Sequence, residues 1–172
     1  IALSLASLTF MFAMGLSVTA MIRIGNQKGL NDYVTLRRVA ISIFLLTIII
    51  EVVFALLFVA LHTTLPYIFI DINDAENLTK NLEVIAISAN LLLVAAVFQI
   101  SDGLQVVVLG ALRGLQDAKI PMYITFVAYW VIGFPISIYL GLETELKAVG
   151  VWIGLLAGLT AAAIFLYIRF NY

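Results

Sequence analysis

The stretch VAISIFLLTIIIEVVFALLFVAL, residues 39–61, indicates the class of this protein. It holds a single charged residue, Glu51, and its apolar side chains do not alternate with polar ones. An α-helix needs about 20 apolar residues to cross a hydrocarbon core about 30 Å thick. Lipid offers no hydrogen-bond partners to backbone groups, so such a run must satisfy them internally as a helix. The stretch therefore predicts a membrane-spanning helix.

The rest of the chain has the same character. Of its 172 residues 64% are hydrophobic and 11% are charged, with a mean hydropathy of +1.16, whereas globular domains carry about 25% charged residues. We predict an all-α integral membrane fold with five spans, at residues 1–22, 39–61, 84–112, 120–142 and 148–168. The third span is longer than a bilayer requires, so it is expected to tilt or to extend past the surface.

Composition also excludes several classes of function. With a formal net charge of -1 the chain offers no basic face to phosphates, so no nucleic-acid partner is expected. It has no cysteine and one histidine, His62, which excludes thiolate chemistry and histidine metal clusters. The acidic residues within the spans lack the GxGD-like context of intramembrane proteases. We therefore expect neither an enzyme nor a protein with a cofactor.

Basic residues are divided unequally between the two ends of the predicted bundle. An excess of Lys and Arg marks the cytoplasmic side of a membrane protein. Seven lie on one side and two on the other, namely Arg23, Lys28, Arg37, Arg38, Arg113, Lys119 and Arg169 against Lys80 and Lys147. This predicts the N-terminus and the acidic segment 71–83 outside, and the C-terminus in the cytoplasm. Because five spans would then start outside, from Ile1 without an initiator methionine, we expect at least one helix to precede them.

Two acidic residues, Glu51 and Asp102, fall deep within predicted spans. A carboxylate there costs several kcal/mol unless it faces a protein interior or a wet cavity, which makes each a candidate functional group. Gln99 and Gln105 lie three residues before and after Asp102, so the three share one helix face. For Asp102 a functional role, in which the carboxyl takes up a proton or a cation, is favoured, and a structural carboxylate bonded to a neighbouring helix is the alternative. For Glu51, lining a cavity and serving as a protonated structural acid stay open.

Small residues indicate where helices pack closely. Gly150, Gly154 and Gly158 recur at four-residue spacing, a strip that lets another helix approach. Gly133 and Pro135 should bend the fourth span, because proline removes a backbone donor. Tyr129 and Trp130 precede this bend, and the bent helix is a candidate moving part.

Several strings resemble the multidrug and toxic compound extrusion (MATE) transporters, in particular the C-terminal half of the NorM-type branch. The resemblance covers nearly the whole chain. It is carried by MGLS at 14–17, RIG at 23–25, FQISDGLQ at 98–105, GALRG at 110–114, Asp117, Lys119, Pro121-Met122, Tyr129-Trp130, Gly133, Pro135 and GVWIG at 150–154.

The resemblance implies a twelve-helix antiporter of two six-helix lobes in a bacterial inner membrane, with this chain as helices eight to twelve. The N-terminal lobe and the helix that opens the second lobe would then lie elsewhere in the parent protein. It also places Asp102 at the position of the family's cation-coupling acid, where Na⁺ or H⁺ is exchanged, with a companion acid expected on the seventh helix. The exported compounds would be amphipathic, mostly cationic organic molecules and drugs. Gln99, Gln105, Tyr129 and Glu51 are candidates for their pathway.

Two other functions are weighed against antiport. A flippase for a lipid-linked saccharide belongs to the same superfamily, but its cavity should be cationic, whereas the charges within these spans are acidic. A membrane scaffold subunit without transport activity would use the glycine strip to dock a partner helix, and it would tolerate the loss of Asp102.

Overall fold

The computed structural model describes residues 2–70 and 78–171, and it describes side chains from residue 81 onward in the second range. Nearly all of these residues are helical, and no strand occurs among them. The elements are α1 (Ala2–Gly29), α2 (Tyr33–Leu61), a 3₁₀ turn (Leu65–Ile68), α3 (Leu78–Gly114), α4 (Lys119–Val127), a π-helical segment (Ala128–Gly133), α5 (Phe134–Leu142) and α6 (Lys147–Asn171). Residues 71–77, most of the predicted outer acidic segment, lie outside the described ranges.

Among the described residues, five helical stretches are long and apolar enough to cross a membrane. This confirms the predicted all-α class with five long apolar helices. The helices extend past the predicted spans, most clearly where α1 continues to Gly29 and α2 begins at Tyr33. Apolar patterning ends at the first charged residues, but a helix continues through them when its end is capped. Asp32 provides such a cap, because its carboxylate accepts a hydrogen bond from the Thr35 amide at 3.0 Å.

Helix α3 is the central element, since it packs against α1, α2 and α6, while α5 and the π segment pack on α6. Two apolar clusters stabilise the bundle along its length. The first, at the end that carries most of the Arg and Lys residues (the basic end), includes Ala20, Ile24, Leu36, Ala40, Val107, Val108, Leu112 and Leu166. The second, toward the opposite end, includes Ala2, Leu5, Ala55, Phe58, Leu92, Ala95 and Ala96.

A buried polar layer lies between these two clusters. Its members are Thr9 from α1, Thr47 and Glu51 from α2, and Gln99 from α3, each no more than 3% exposed. Both threonine hydroxyls donate to carbonyls of their own helix, which satisfies them without a partner from another helix. The longer side chains of Glu51 and Gln99 make no such bond within their own helix.

Glycines let the helices approach one another at the expected places. A Cβ on Gly154 would collide with the backbone of Ser137 in α5, and one on Gly158 would lie 3.0 Å from the Gly133 Cα. The strip on α6 therefore packs within the bundle. Gly114, which the sequence alone would leave in a loop, is the last residue of α3, and a Cβ there would lie 2.6 Å from the Met21 carbonyl of α1.

The fourth span contains a π-helical segment where the sequence predicts a bend. The Phe134 amide donates to the Tyr129 carbonyl, five residues back, instead of to the carbonyl four residues back. Pro135 follows directly and has no amide hydrogen to offer. The proline thus explains the irregular hydrogen bonding of this helix. Tyr129 and Trp130 lie within the π segment.

Candidate acidic site

Asp102 lies at the middle of α3 and faces a cavity of about 310 Å³ between α1, α3 and α6. The cavity walls are mostly apolar and aromatic. They are formed by Leu3, Ala6, Ser7 and Phe10 of α1, Phe98 of α3, and Trp152 and Leu155 of α6. Asp102 is therefore the charged group of an otherwise apolar chamber.

The Asp102 carboxyl has no hydrogen bond or ion pair to any residue in the ranges 2–70 and 78–171. The described ion pair joins Arg169 to Asp117 at the basic end of the bundle. Asp102 is also only partly buried, so it is reachable from the cavity. A structural carboxylate would use its oxygens to bond a neighbouring helix, and the described part of the chain shows no such bond at Asp102.

One flank of Asp102 carries Gln105 and Tyr129. The Tyr129 hydroxyl lies near the Gln105 side chain and interacts electrostatically with Asp102. Gln105 is 7% exposed, whereas Tyr129, on the π segment, is 36% exposed. Gln105 and Tyr129 thereby join α3 to the fourth span beside the Asp102 carboxyl.

The other flank carries Gln99, which turns away from the cavity toward α2. Its Nε2 donates to the backbone carbonyl of Glu51 at 3.5 Å, and both side chains are enclosed. The structure thus groups the five predicted site residues around residues 99–105 of α3. It places only Asp102 in the cavity wall, with Gln105 and Tyr129 on one side and Gln99 and Glu51 behind it.

Sequence reasoning missed the aromatic walls. The rings of Phe98 and Trp152 lie 5.4 Å apart between centroids and join α3 to α6 beside Asp102. Phe98 precedes Asp102 by four residues, one helical turn, and this spacing is a signal that could have found it. No pattern within α1 indicates that Ser7 or Phe10 would face the same cavity, because that depends on how α1 packs.

A second groove, of about 460 Å³, lies between α6 and the π segment with α5. Trp130, Phe134, Ile138 and Leu142 line it together with Tyr129, and its lining contains no charged side chain. It is larger than the Asp102 cavity, and its lining offers aromatic ring faces but no carboxylate. Tyr129 lines this groove and also approaches Gln105, so it lies between the two chambers.

Metal coordination by clustered acids finds no support in this part of the protein. Within the described ranges no three His, Asp or Glu side chains converge. If a metal ion bound at Asp102, its other ligands would have to be waters, neutral oxygens or groups from elsewhere, because hard cations require several oxygen ligands. A proton needs only the carboxyl itself.

Comparison with known proteins places this arrangement in a family. The MatE family matches residues 1–139. The probable multidrug resistance protein NorM of Rhodopseudomonas palustris is 39% identical over 171 residues, which cover 99% of this chain and 35% of that protein. The protein of the same name from Agrobacterium fabrum is 37% identical over 170 residues, 99% of this chain and 36% of that protein.

A solved structure shows the same fold. The crystal structure of the eukaryotic MATE transporter AtDTX14 superposes with a TM-score of 0.86 at 21% sequence identity, over 98% of this chain and 36% of that chain. This chain spans about a third of the length of the curated relatives that it matches. These proteins are transporters or carry multidrug-resistance names, and none of the three is named as an enzyme. Together with the family match over four-fifths of the chain, they show that it belongs to the MatE family.

Proposed function

We propose that this chain is part of the C-terminal lobe of a cation-coupled antiporter that exports amphipathic, mostly cationic organic compounds. Asp102 is its coupling carboxylate, for H⁺ or Na⁺. The observation that carries this assignment is the position of Asp102, a carboxyl without an ion-pair partner among the described residues, in an aromatic-walled cavity. The family membership and the multidrug-resistance names of the relatives support the class of substrate.

The mechanism is competition for one carboxyl group. An ionised acid among apolar walls is costly, so it gains by taking up a proton or a metal cation, or by facing a cationic compound. Phe98 and Trp152 supply ring faces that attract organic cations. When the inorganic ion binds, the negative charge is neutralised and the attraction for the organic cation falls. Exchange of one for the other is the coupling step.

Coupling also requires two conformations that bind these ligands differently, because a ligand shifts an equilibrium only by its differential affinity. The π segment is the candidate moving part, since its hydrogen bonds are already irregular beside Asp102. Tyr129 is the candidate contact for substrate, because it lies between the two chambers. Gln105 orients Tyr129. Gln99 and Glu51 contribute to the substrate pathway from the polar layer behind the cavity wall.

The proposed orientation follows the basic residues. The turns 30–32 and 115–118 and the end of α6 would lie in the cytoplasm, and the start of α1 outside, in a bacterial inner membrane. An inward-moving ion would then reach Asp102 from the side of Leu3 and Ser7, which lie near the outer end of the cavity.

The test is a pair of assays on the full-length protein in proteoliposomes. One measures accumulation of a fluorescent organic cation under an imposed H⁺ or Na⁺ gradient, and the other measures flipping of a lipid-linked saccharide. The proposal predicts gradient-driven movement of the cation and no flipping. Lipid flipping without cation movement would favour the flippase, and activity in neither assay would favour a scaffold role.

A further inference from the structure

Two polar atoms at the centre of the bundle have no hydrogen-bond partner in the part of the chain that the structure describes. They are the Glu51 Oε2 and the Gln99 Oε1, on α2 and α3. Glu51 is 1% exposed and Gln99 is 3% exposed, so bulk water does not reach them. An unpaired buried acceptor is destabilising, and more so when it is charged. Two at one place therefore require an explanation.

The orientation of the Gln99 amide is fixed by its surroundings. Its Nε2 faces the Glu51 backbone carbonyl at 3.5 Å. If the amide were reversed, two carbonyl-type oxygens would face each other with no hydrogen between them. The Gln99 Oε1 is therefore the free atom, and it can only accept a hydrogen bond. An ionised Glu51 offers no donor, so two acceptors would remain unsatisfied.

The Glu51 side chain lies directly against α3 beside Asp102. A Cβ on Gly103 would be only 2.8 Å from the Glu51 Cγ and Oε1, so glycine is what allows this approach. Asp102 precedes Gly103, and the two acids interact electrostatically. Asp102 thus faces the cavity, whereas Glu51 lies beside it and faces the polar layer.

Among the described residues, the elements packed against Glu51 bring no positive charge to its level. The part of α1 before Arg23 contains no ionisable side chain, and Asp102 is the one acid of α3 near this level. The basic residues of α6, Lys147 and Arg169, lie at its two ends. A buried carboxylate without a cation is strongly unfavourable, and a like charge nearby adds to the cost.

A metal ion does not fit this place. Hard cations require several oxygen ligands, whereas the Glu51 and Gln99 side chains offer two free oxygens. The Thr9 and Thr47 hydroxyls of the same layer are bonded to carbonyls of their own helices. A proton fits, because it neutralises Glu51 and converts one of the two acceptors into a donor. One proton therefore resolves both unsatisfied atoms.

We propose that Glu51 is a second proton-binding site of this protein, a carboxylic acid whose hydroxyl donates to the Gln99 Oε1 within the polar layer behind Asp102. It binds its proton at neutral pH whether or not Asp102 exchanges an ion. The inference therefore goes beyond the proposed antiport and can fail independently of it.

Infrared spectroscopy of the full-length protein tests the inference directly. The probe is the carboxylic-acid C=O stretch at neutral pH, compared between wild type, Glu51→Gln and Asp102→Asn. Glutamine has almost the shape of protonated glutamate and can donate to the same oxygen, so E51Q is expected to fold. We expect one carboxylic-acid band to be lost in E51Q and retained in D102N.

A second variant keeps the test informative if E51Q does not fold. Gln99→Met removes the acceptor while preserving the length of the side chain, so the band should remain and shift to higher frequency as its hydrogen bond is lost. An unchanged carboxylic-acid region in both E51Q and Q99M would overturn the inference. So would loss of a carboxylate band, instead of an acid band, in E51Q. Transport results for D102N affect neither readout.

Discussion

Arg169, in the last turn of α6, donates a hydrogen bond from its Nε to the Asp117 Oδ2 at 2.8 Å. Asp117 lies in the turn between α3 and α4, and the same turn accepts a hydrogen bond from the Lys28 Nζ at the Leu115 carbonyl. Four helices are thus connected at the basic end of the bundle. Asp102, about three turns before the end of α3, is left without any of these cations.

The Arg169–Asp117 pair should contribute little to stability despite its good geometry. The two side chains are 36% and 22% exposed, and ion pairs of this kind stabilise by about 0.2–1 kcal/mol. A double-mutant cycle with Arg169→Gln and Asp117→Asn, followed by unfolding of the full-length protein in detergent, should give a coupling energy in that range. Lys119→Gln, which removes a charge outside any described ion pair, is the control. A coupling of several kcal/mol would contradict the expectation.

Glycine substitutions should separate packed from open positions. Gly154→Ala places a methyl group against the Ser137 backbone, and overpacking of this kind costs about 1–3 kcal/mol. Gly15→Ala meets nothing within 4 Å among the described residues and should be neutral or slightly stabilising. The measurement is the thermal midpoint of both variants in detergent. Equal midpoints would mean that the α5–α6 contact is looser than described.

Replacing the proline after the π segment should regularise the fourth span. Pro135→Ala restores an amide hydrogen that can bond the Val131 carbonyl, so amide exchange in residues 128–135 should slow. Pro121→Ala is the matched control, because Pro121 lies in the first turn of α4, where amides have no intrahelical partner. Hydrogen–deuterium exchange followed by mass spectrometry checks this. Unchanged exchange in P135A would show that the proline does not cause the irregularity.

The cap at Asp32 gives an expected pH dependence. Hydrogen bonds from Thr35 lower the pKa of the exposed Asp32 carboxyl below its ordinary value. Because the folded pKa is depressed, the cap should stabilise fully above the ordinary Asp pKa of about 3.9 and weaken as pH falls through the folded value. Asp32→Asn should keep the cap and lose this dependence, whereas Asp32→Ala should lose both. Amide exchange in the first turn of α2 between pH 2 and pH 6 tests this, and parallel profiles for wild type and D32N would contradict it.

Sequence alone predicts the class and the candidate acid because both depend on local patterns. Apolar runs with few charges give the long helices, and a mid-span acid with glutamines one turn away makes Asp102 the candidate. Which of these polar residues faces the cavity and which is enclosed between helices could not be predicted, because this depends on how α1, α2 and α6 pack around α3. Gln99 and Gln105 share a face with Asp102 by spacing, yet neighbouring helices enclose one beside Glu51 and place the other beside Tyr129.

Two further features required tertiary structure. The cavity walls come from Phe98, Trp152 and α1, which are far apart in sequence. The unsatisfied atoms of Glu51 and Gln99 become visible only when both side chains are seen to be buried without donors. Periodicity places an acid within a span, but it does not show whether that acid faces a cavity or the interior.

The central claim is that Asp102 couples ion entry to export, and the most direct measurement is ion-gradient-driven efflux of an organic cation from proteoliposomes containing the full-length protein. Asp102→Asn keeps the size of the side chain and removes its charge, and Asp117→Asn is the same change at an acid outside the cavity. The account predicts that D102N reduces efflux to the level of vesicles without protein while its thermal midpoint stays close to wild type, and that D117N still transports. Wild-type gradient-driven efflux in D102N would contradict it.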